Sequence, residues 1–430
     1  LDNSEPNKAQ APTFEGLLIE GHMTEFNLDA WLAAVPVDAI AADGPTTDFE
    51  TRATVTIDHL SAAGFDIDTV TVDALRSQRL WAINIDSPMM AGDIHVPEDR
   101  SQSIIARLNY IALPKPELGS EQSPLNNLDP STLPALDFAT EGLRIGDDEL
   151  GSLAFVMQAS ENGVSIDQIE AEITGIAITN SADGDAAKFT WQRIDGEDQS
   201  QFSGALLSDD LGGVLQAWDL PVLLTTHNAA ILSDLSWQGK PWDLSIDTLE
   251  GHLALSFDKG RFYQATGTST NVLLKVIGVI NFHTWMRRLK LDFSDLLADG
   301  VEYDHLEGGL AFERGQMRFQ EPIEVTLPAA KIRLQGHANL LAETIDAHVV
   351  ATLPVGTNLP WIVALVGGLP AAAGVYITGK IFERQVDQIS SFSYKLSGDL
   401  DQPKIEVDRI FSDKSQHPRP QPPSATQSPP

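Results

Sequence analysis

The chain has 430 residues, no cysteine, and 61 acidic against 28 basic side chains, for a formal net charge of −33. Such an acid excess excludes a nucleic-acid surface, which works by neutralising phosphates with basic groups, and a surface drawn as a whole to anionic lipid heads. Without cysteine there is no disulfide, no thiolate zinc site and no thiol nucleophile, while 42% hydrophobic residues suffice for a core. At roughly 100–200 residues per domain the length allows two or three domains or one extended one.

The chain starts at Leu1, with no basic stretch before an apolar one, so it reads as a mature form or an excised piece of a longer protein. Asp29–Val35 is a short helix opened by an acidic residue, a pattern repeated at Asp210–Trp218. Between and beyond them the dominant signal is alternation with period two, the mark of strands with one dry face. Val55 and Ile57 alternate with threonines and Asp58, as do Phe65 and Ile67, then Val70 and Val72. Trp81, Ile83 and Ile85 follow, then Leu153, Phe155 and Met157. Leu253, Leu255 and Phe257 carry the pattern onward, with Leu289, Leu291 and Phe293, and Ile323, Val325 and Leu327. Ile345–Leu353 and Phe392–Leu396 are late examples. One polar face per strand excludes a doubly wound parallel sheet, whose central strands are buried on both sides. The expected fold is mainly β: a long, twisted antiparallel sheet with few short helices.

Turn chemistry agrees, with Asp258-Lys259-Gly260 and Glu313-Arg314-Gly315 expected as glycine-containing hairpin loops. A spaced unit, Leu-x-Gly-x-Leu, recurs at Leu249–Leu253, Leu306–Leu310 and Leu396–Leu400, with a variant at Leu334–Ala338. Residues 114–134 carry five prolines and read as a linker or long loop. The division is thus 1–113, then that linker, then 135–411 with helices near 271–282 and 360–388. The Pro/Ser/Gln-rich stretch 412–430 reads as a disordered tail.

No catalytic constellation is visible. The ten histidines are scattered, there is no His-Glu-x-x-His and no Gly-x-Ser-x-Gly, and no metal or cofactor is expected. Asp147-Asp148-Glu149 reads as an exposed turn rather than a calcium loop. Gly374–Lys380 imitates a phosphate loop, but Ile381 stands where Ser or Thr must hold magnesium. Two apolar stretches stand out: Val272–Phe282 with Trp285 and basic Arg287 and Arg288, and the uncharged span Ala347–Gly379. The second exceeds the ~20 residues of a transmembrane helix, but Gly367, Gly368 and Pro370 break it into two pieces that cover the sheet end or dip into a membrane.

The C-terminal half carries a resemblance. Arg287-Arg288-Leu289-Lys290-Leu291-Asp292-Phe293-Ser294-Asp295-Leu296 after an apolar helix resembles the YhdP branch of the AsmA-like proteins, as does Ala329–Gly336. The run Leu359-Pro360-Trp361, Gly367-Gly368-Leu369, Lys380–Ile389 and Tyr394–Gly398 is the most specific part, and the likeness spans about Asp129 to Val407. The resemblance implies large Gram-negative envelope proteins that bridge inner and outer membranes, with a β-sheet curled into an apolar groove and a role in phospholipid movement. On that footing the chain is expected in the periplasm, at the outer-membrane end, with an inner-membrane anchor helix outside this sequence. Phospholipid acyl chains are the expected partners. The expected lining is Leu253, Leu255, Phe257, Leu289, Leu291, Phe293, Leu310, Phe312, Ile323, Val325, Ile332, Leu334 and Val349. Trp361, Ile362, Leu365, Val366, Val375, Ile377, Ile381 and Phe382 are expected at a membrane. Two rival readings remain open: a closed β-sandwich that scaffolds envelope partners, and a hydrolase working through paired carboxylates.

Overall fold

A computed structural model describes residues 14, 16–34, 50–62, 65–99, 101–113, 128–179, 186–263, 300–328, 330–352, 389–400 and 403–412. The expected helices near 271–282 and 360–388, the phosphate-loop imitation and the tail from 413 lie outside them. The described chain forms one sheet of 20 strands. Its first part comprises β1 (Gly16–Asn27), β2 (Glu50–Ala62), β3 (Phe65–Ser77), β4 (Leu80–Asp86), β5 (Met90–Pro97) and β6 (Ile104–Leu113). Next come β7 (Leu136–Ile145), β8 (Asp148–Ser160), β9 (Gly163–Ile173), β10 (Ile176–Thr179), β11 (Lys188–Ile194), β12 (Glu197–Ser208) and β13 (Leu224–Gln238). The last are β14 (Glu250–Phe262), β15 (Val301–Glu313), β16 (Gln316–Leu327), β17 (Ala330–Asn339), β18 (Thr344–Thr352), β19 (Ile389–Asp399) and β20 (Lys404–Ser412).

The strands pair in chain order, except that β10 and β11 both lie between β9 and β12. Most pairings are antiparallel, but β1 with β2 and β6 with β7 are parallel. The sheet is therefore mixed rather than antiparallel throughout. Parallel neighbours need a crossover of a dozen or more residues, and the two long connections, 28–49 and 114–135, stand where those crossovers occur. Sequence periodicity gives no sign of this, because a strand with one dry face alternates alike in either direction.

Two of the expected turns resolve differently. Arg314 and Gly315 form a two-residue loop with φ of 45° and 85°, between β15 and β16, as the mirror-image hairpin turns require. Asp258-Lys259-Gly260 is not a loop: it lies inside β14, which kinks at Lys259 with φ of 49° and continues to Phe262. Strand pairing on both sides holds the segment extended.

Both described helices are short. α1 (Leu28–Ala34) starts one residue before the expected Asp29 because Asn27 caps it, its Oδ1 accepting from Ala30 N at 2.7 Å. α2 (Leu211–Ala217) is capped by Asp210, whose carboxylate accepts from Gly213 N at 3.0 Å. Leu211, Val214 and Leu215 of α2 pack on the apolar face of the sheet.

Candidate functional site

The register brings the apolar positions of successive strands opposite one another in one row. It runs Gly21, Val55, Val72, Ile85, Gly92, Leu108, Thr140, Leu153, Ala171, Ile178, Leu206, Ile231, Leu255 and Gly308, each directly opposed to the next. A bulge between β15 and β16 shifts the pairing. Beyond it Ile323, Leu334, Val349 and Tyr394 continue the row into β19. Only Thr140 and Tyr394 in it carry a polar group. At roughly 4.8 Å between strands this stripe is about 80 Å long along the sheet.

Parallel rows widen the stripe. Trp81, Val96 and Ile83, Ile94 pair across β4 and β5, and Phe138 stacks on Phe155 across β7 and β8 with centroids 5.1 Å apart. Those expected lining residues that are described fall on the same face. Leu253 opposes Leu310, Val325 opposes Ile332, and Phe312 opposes Met317. Leu255, Phe257, Phe312, Ile323, Val325, Ile332 and Leu334 belong to one buried cluster, with Leu253 and Val349 packed at its margin. Leu289, Leu291, Phe293, Trp361, Ile362, Leu365, Val366, Val375, Ile377, Ile381 and Phe382 lie outside the described residues.

Burial is uneven along the stripe. From β14 to β19 it is closed: Leu306, Leu310, Ile323 and Leu334 are 0% exposed. From β4 to β13 Trp81, Ile83, Phe138, Phe155 and Phe202 are half-buried, whereas Leu108 is buried and Met157, Val164 and Trp191 form a buried cluster of their own, with Leu128 and Leu133 packed against it. Two elements fold over the face at the two ends of β13. α2 folds over the face from one sheet edge, and the segment 239–249 from the other, inserting Ile246 and Leu249 into the same cluster. Trp242 of that segment sets its edge against Trp191, 5.5 Å between centroids. Sequence reasoning placed the lining in the C-terminal half and passed over the half-buried aromatics of β4–β8. Their alternation was readable, but alternation reports a face and not what covers it.

Charge is kept on the other face and the rims. His59 Nδ1 meets Asp68 at 2.7 Å, Thr54 donates to Asp73 at 2.7 Å, and Arg193 reaches Asp129 at 2.7 Å. His305 has its pKa raised, first by its hydrogen bond to Asp258 at 2.7 Å. Burial pushes the phenols of Tyr303 and Tyr394 up to about 12, so both stay neutral on the apolar face. Asp99, Asp129 and Glu406 have carboxyl pKa values lowered by hydrogen bonds at exposed sites, the opposite of a general acid held protonated. Among the described residues no three His, Asp or Glu side chains gather to hold a metal ion. Nor is any helix there long and apolar enough to cross a membrane.

The profile of the YhdP protein family matches residues 2–405. The chain belongs to the YhdP family. A curated relative, the intermembrane phospholipid transporter YhdP of Escherichia coli strain K12, is 22% identical over 225 residues, which is 52% of this chain and 17% of the relative. The chain thus spans about a sixth of that relative's length. No solved structure matches the chain significantly.

Proposed function

We propose that this chain is a section of a lipid conduit, holding phospholipid acyl chains against its apolar inner face while headgroups stay in water. The carrying observation is the continuous stripe from Gly21 to Tyr394, interrupted by only two polar side chains. The Escherichia coli relative, an intermembrane phospholipid transporter, supports the same substrate class. Each methylene taken out of water contributes about 0.8 kcal/mol, and such contacts are non-directional, so a chain is held yet free to slide. In this reading the segments 1–113 and 135–411 are consecutive parts of one periplasmic path. Its C-terminal end faces the outer membrane, its anchor lies in the inner membrane beyond this sequence, and no catalytic step is involved.

A second reading, a structural module without a lipid path, draws on the closed packing of β14–β19. Native mass spectrometry separates the two. The chain incubated with phosphatidylethanolamine/phosphatidylglycerol vesicles and re-isolated should carry one or more phospholipids; recovery lipid-free after incubation would favour the structural module.

A further inference from the structure

Rows on the outer face of the sheet are commonly polar, as at Thr54, Asp73, Asn84 and Asp93, each opposed to the next. Between β10 and β15 the pattern changes. One outer row there reads Ala177, Leu207, Ala230 and Ser256, and the row beside it reads Ala205, Leu232, Ala254 and Gly309. Both alternate with the inner residues Ile178, Leu206, Ile231 and Leu255, so they face outward. Leu207 and Leu232 are 38% and 37% exposed. Strands that are apolar on both faces are ordinarily covered on both, and the alanine and glycine floor beside the two leucines lets another backbone approach closely. Carboxylates ring the patch: Glu172 opposes Ala177, Glu307 opposes Ser256, Glu321 opposes Gly309, and Asp234 stands two residues beyond Leu232. Among the described residues none of the four has a Lys or Arg partner, and Glu307 meets only His305, at 3.4 Å.

The occupant that fits belongs to the chain itself. The long connection from β14 to β15 leaves and re-enters two of the strands that form the patch. From Gln264 to Leu291 it carries no Asp or Glu, while Lys275, Arg287, Arg288 and Lys290 are basic and Val272–Phe282 is dominated by Val, Leu and Ile. An apolar stretch flanked by cations complements an apolar patch ringed by carboxylates, because apolar burial and opposite charge then act together. A second copy of the same patch would instead bring carboxylates against carboxylates. Reach is sufficient. Ser256 lies six residues before Phe262 on β14, about 20 Å along the strand, and the eight residues 264–271 span up to about 28 Å.

We propose that the stretch Val272–Arg288 docks on this outer patch, its basic residues matching the carboxylate rim. The inner face stays clear of it, so the proposal stands or falls independently of the lipid-conduit reading. The test places a photoreactive residue at Leu232 in one variant of the full chain and at its neighbour Ile231, on the inner face, in another. After irradiation and digestion, adducts to peptides from 272–288 should form from position 232 at least tenfold above position 231, within a single chain. Equal yield, a greater yield from 231, no such adduct from either, or a two-chain product would each overturn the docking. Limited trypsin cleavage at Arg287 and Arg288 gives a second readout. The double variant Leu207→Glu, Leu232→Glu should be cut there several-fold faster than the parent. Leu75→Glu, at a 38% exposed leucine elsewhere on the outer face, should not. Equal cleavage in all three chains would also overturn the docking.

Discussion

Gly336 of β17 lies directly opposite Ala347 of β18, at an approach that leaves no space for a side chain. A Cβ on Gly336 would stand 2.4 Å from Asp346 O and 2.5 Å from Ala347 Cα, and the residue holds φ at 148°. Gly251, in another copy of the Leu-x-Gly-x-Leu unit, repeats the arrangement with φ of 124° and Asp234 O at 2.1 Å from the added atom. In these two copies the central position is kept empty so that neighbouring backbone closes in, whereas at Gly398 of the Leu396–Leu400 copy an added Cβ meets nothing within 4 Å. Gly336→Ala should destabilise the chain by roughly 2–4 kcal/mol through steric strain and an unfavourable backbone region. Gly21→Ala, where an added Cβ meets nothing within 4 Å, should be near neutral. Urea midpoints of the two variants against the parent check the contrast.

Thr140 gives a prediction of the opposite sign. Removing a hydroxyl that has no partner, at nearly constant shape, relieves its desolvation cost. Thr140→Val should raise the stability of the lipid-free chain by about 1 kcal/mol, read as an upward shift of the denaturation midpoint. A downward shift would mean that the hydroxyl is satisfied in solution.

Open and closed packing should separate in truncation energies. Leu334→Ala empties a site that is 0% exposed, and such core truncations cost about 2–5 kcal/mol. Ile83→Ala, on the half-buried part of the stripe, should cost about 1 kcal/mol, since less surface leaves the interior. Matching losses at the two positions would contradict the difference in burial between them.

His305 provides a pH signature. Its neighbours are Asp258 at 2.7 Å and Glu307 at 3.4 Å, and both raise its pKa. A raised folded-state pKa means that the imidazolium stabilises the fold fully below about 6.5, its unfolded value. That contribution is lost as pH rises through the folded value. NMR titration should place the His305 transition above that of an ordinary histidine, and Asp258→Asn should bring it down.

Much of the fold was legible because its signal is local. Alternation at Val55–Ile57, Leu253–Phe257 and Ile323–Leu327 fixes which side chains share a face, and the structure places them so. The acidic cap at Asp210 and the Arg314-Gly315 turn depend on two or three neighbouring residues, as does the start of α1, where Asn27 rather than Asp29 is the cap. What escaped is non-local. The direction in which β6 meets β7 is set by where the chain crosses over, and Asp258-Lys259-Gly260 stays extended only because β13 and β15 hold it on both sides. Leu334 and Phe155 alternate alike in sequence, yet Leu334 is sealed within the large buried cluster and Phe155 lies half-buried at the margin of a smaller one, because burial depends on side chains brought in from distant parts of the chain.

The central claim is that the inner face, and not the outer, holds phospholipid. Phe155 and Ala154 are adjacent in β8 and point to opposite faces, Phe155 opposing Phe138 and Ala154 opposing Ala139. A photoreactive residue placed at each position in turn, in the full-length protein within its own envelope, tests the claim most directly. The account predicts phospholipid adducts at 155 and none at 154. Adducts at both positions alike, or only protein adducts at 155, would contradict it.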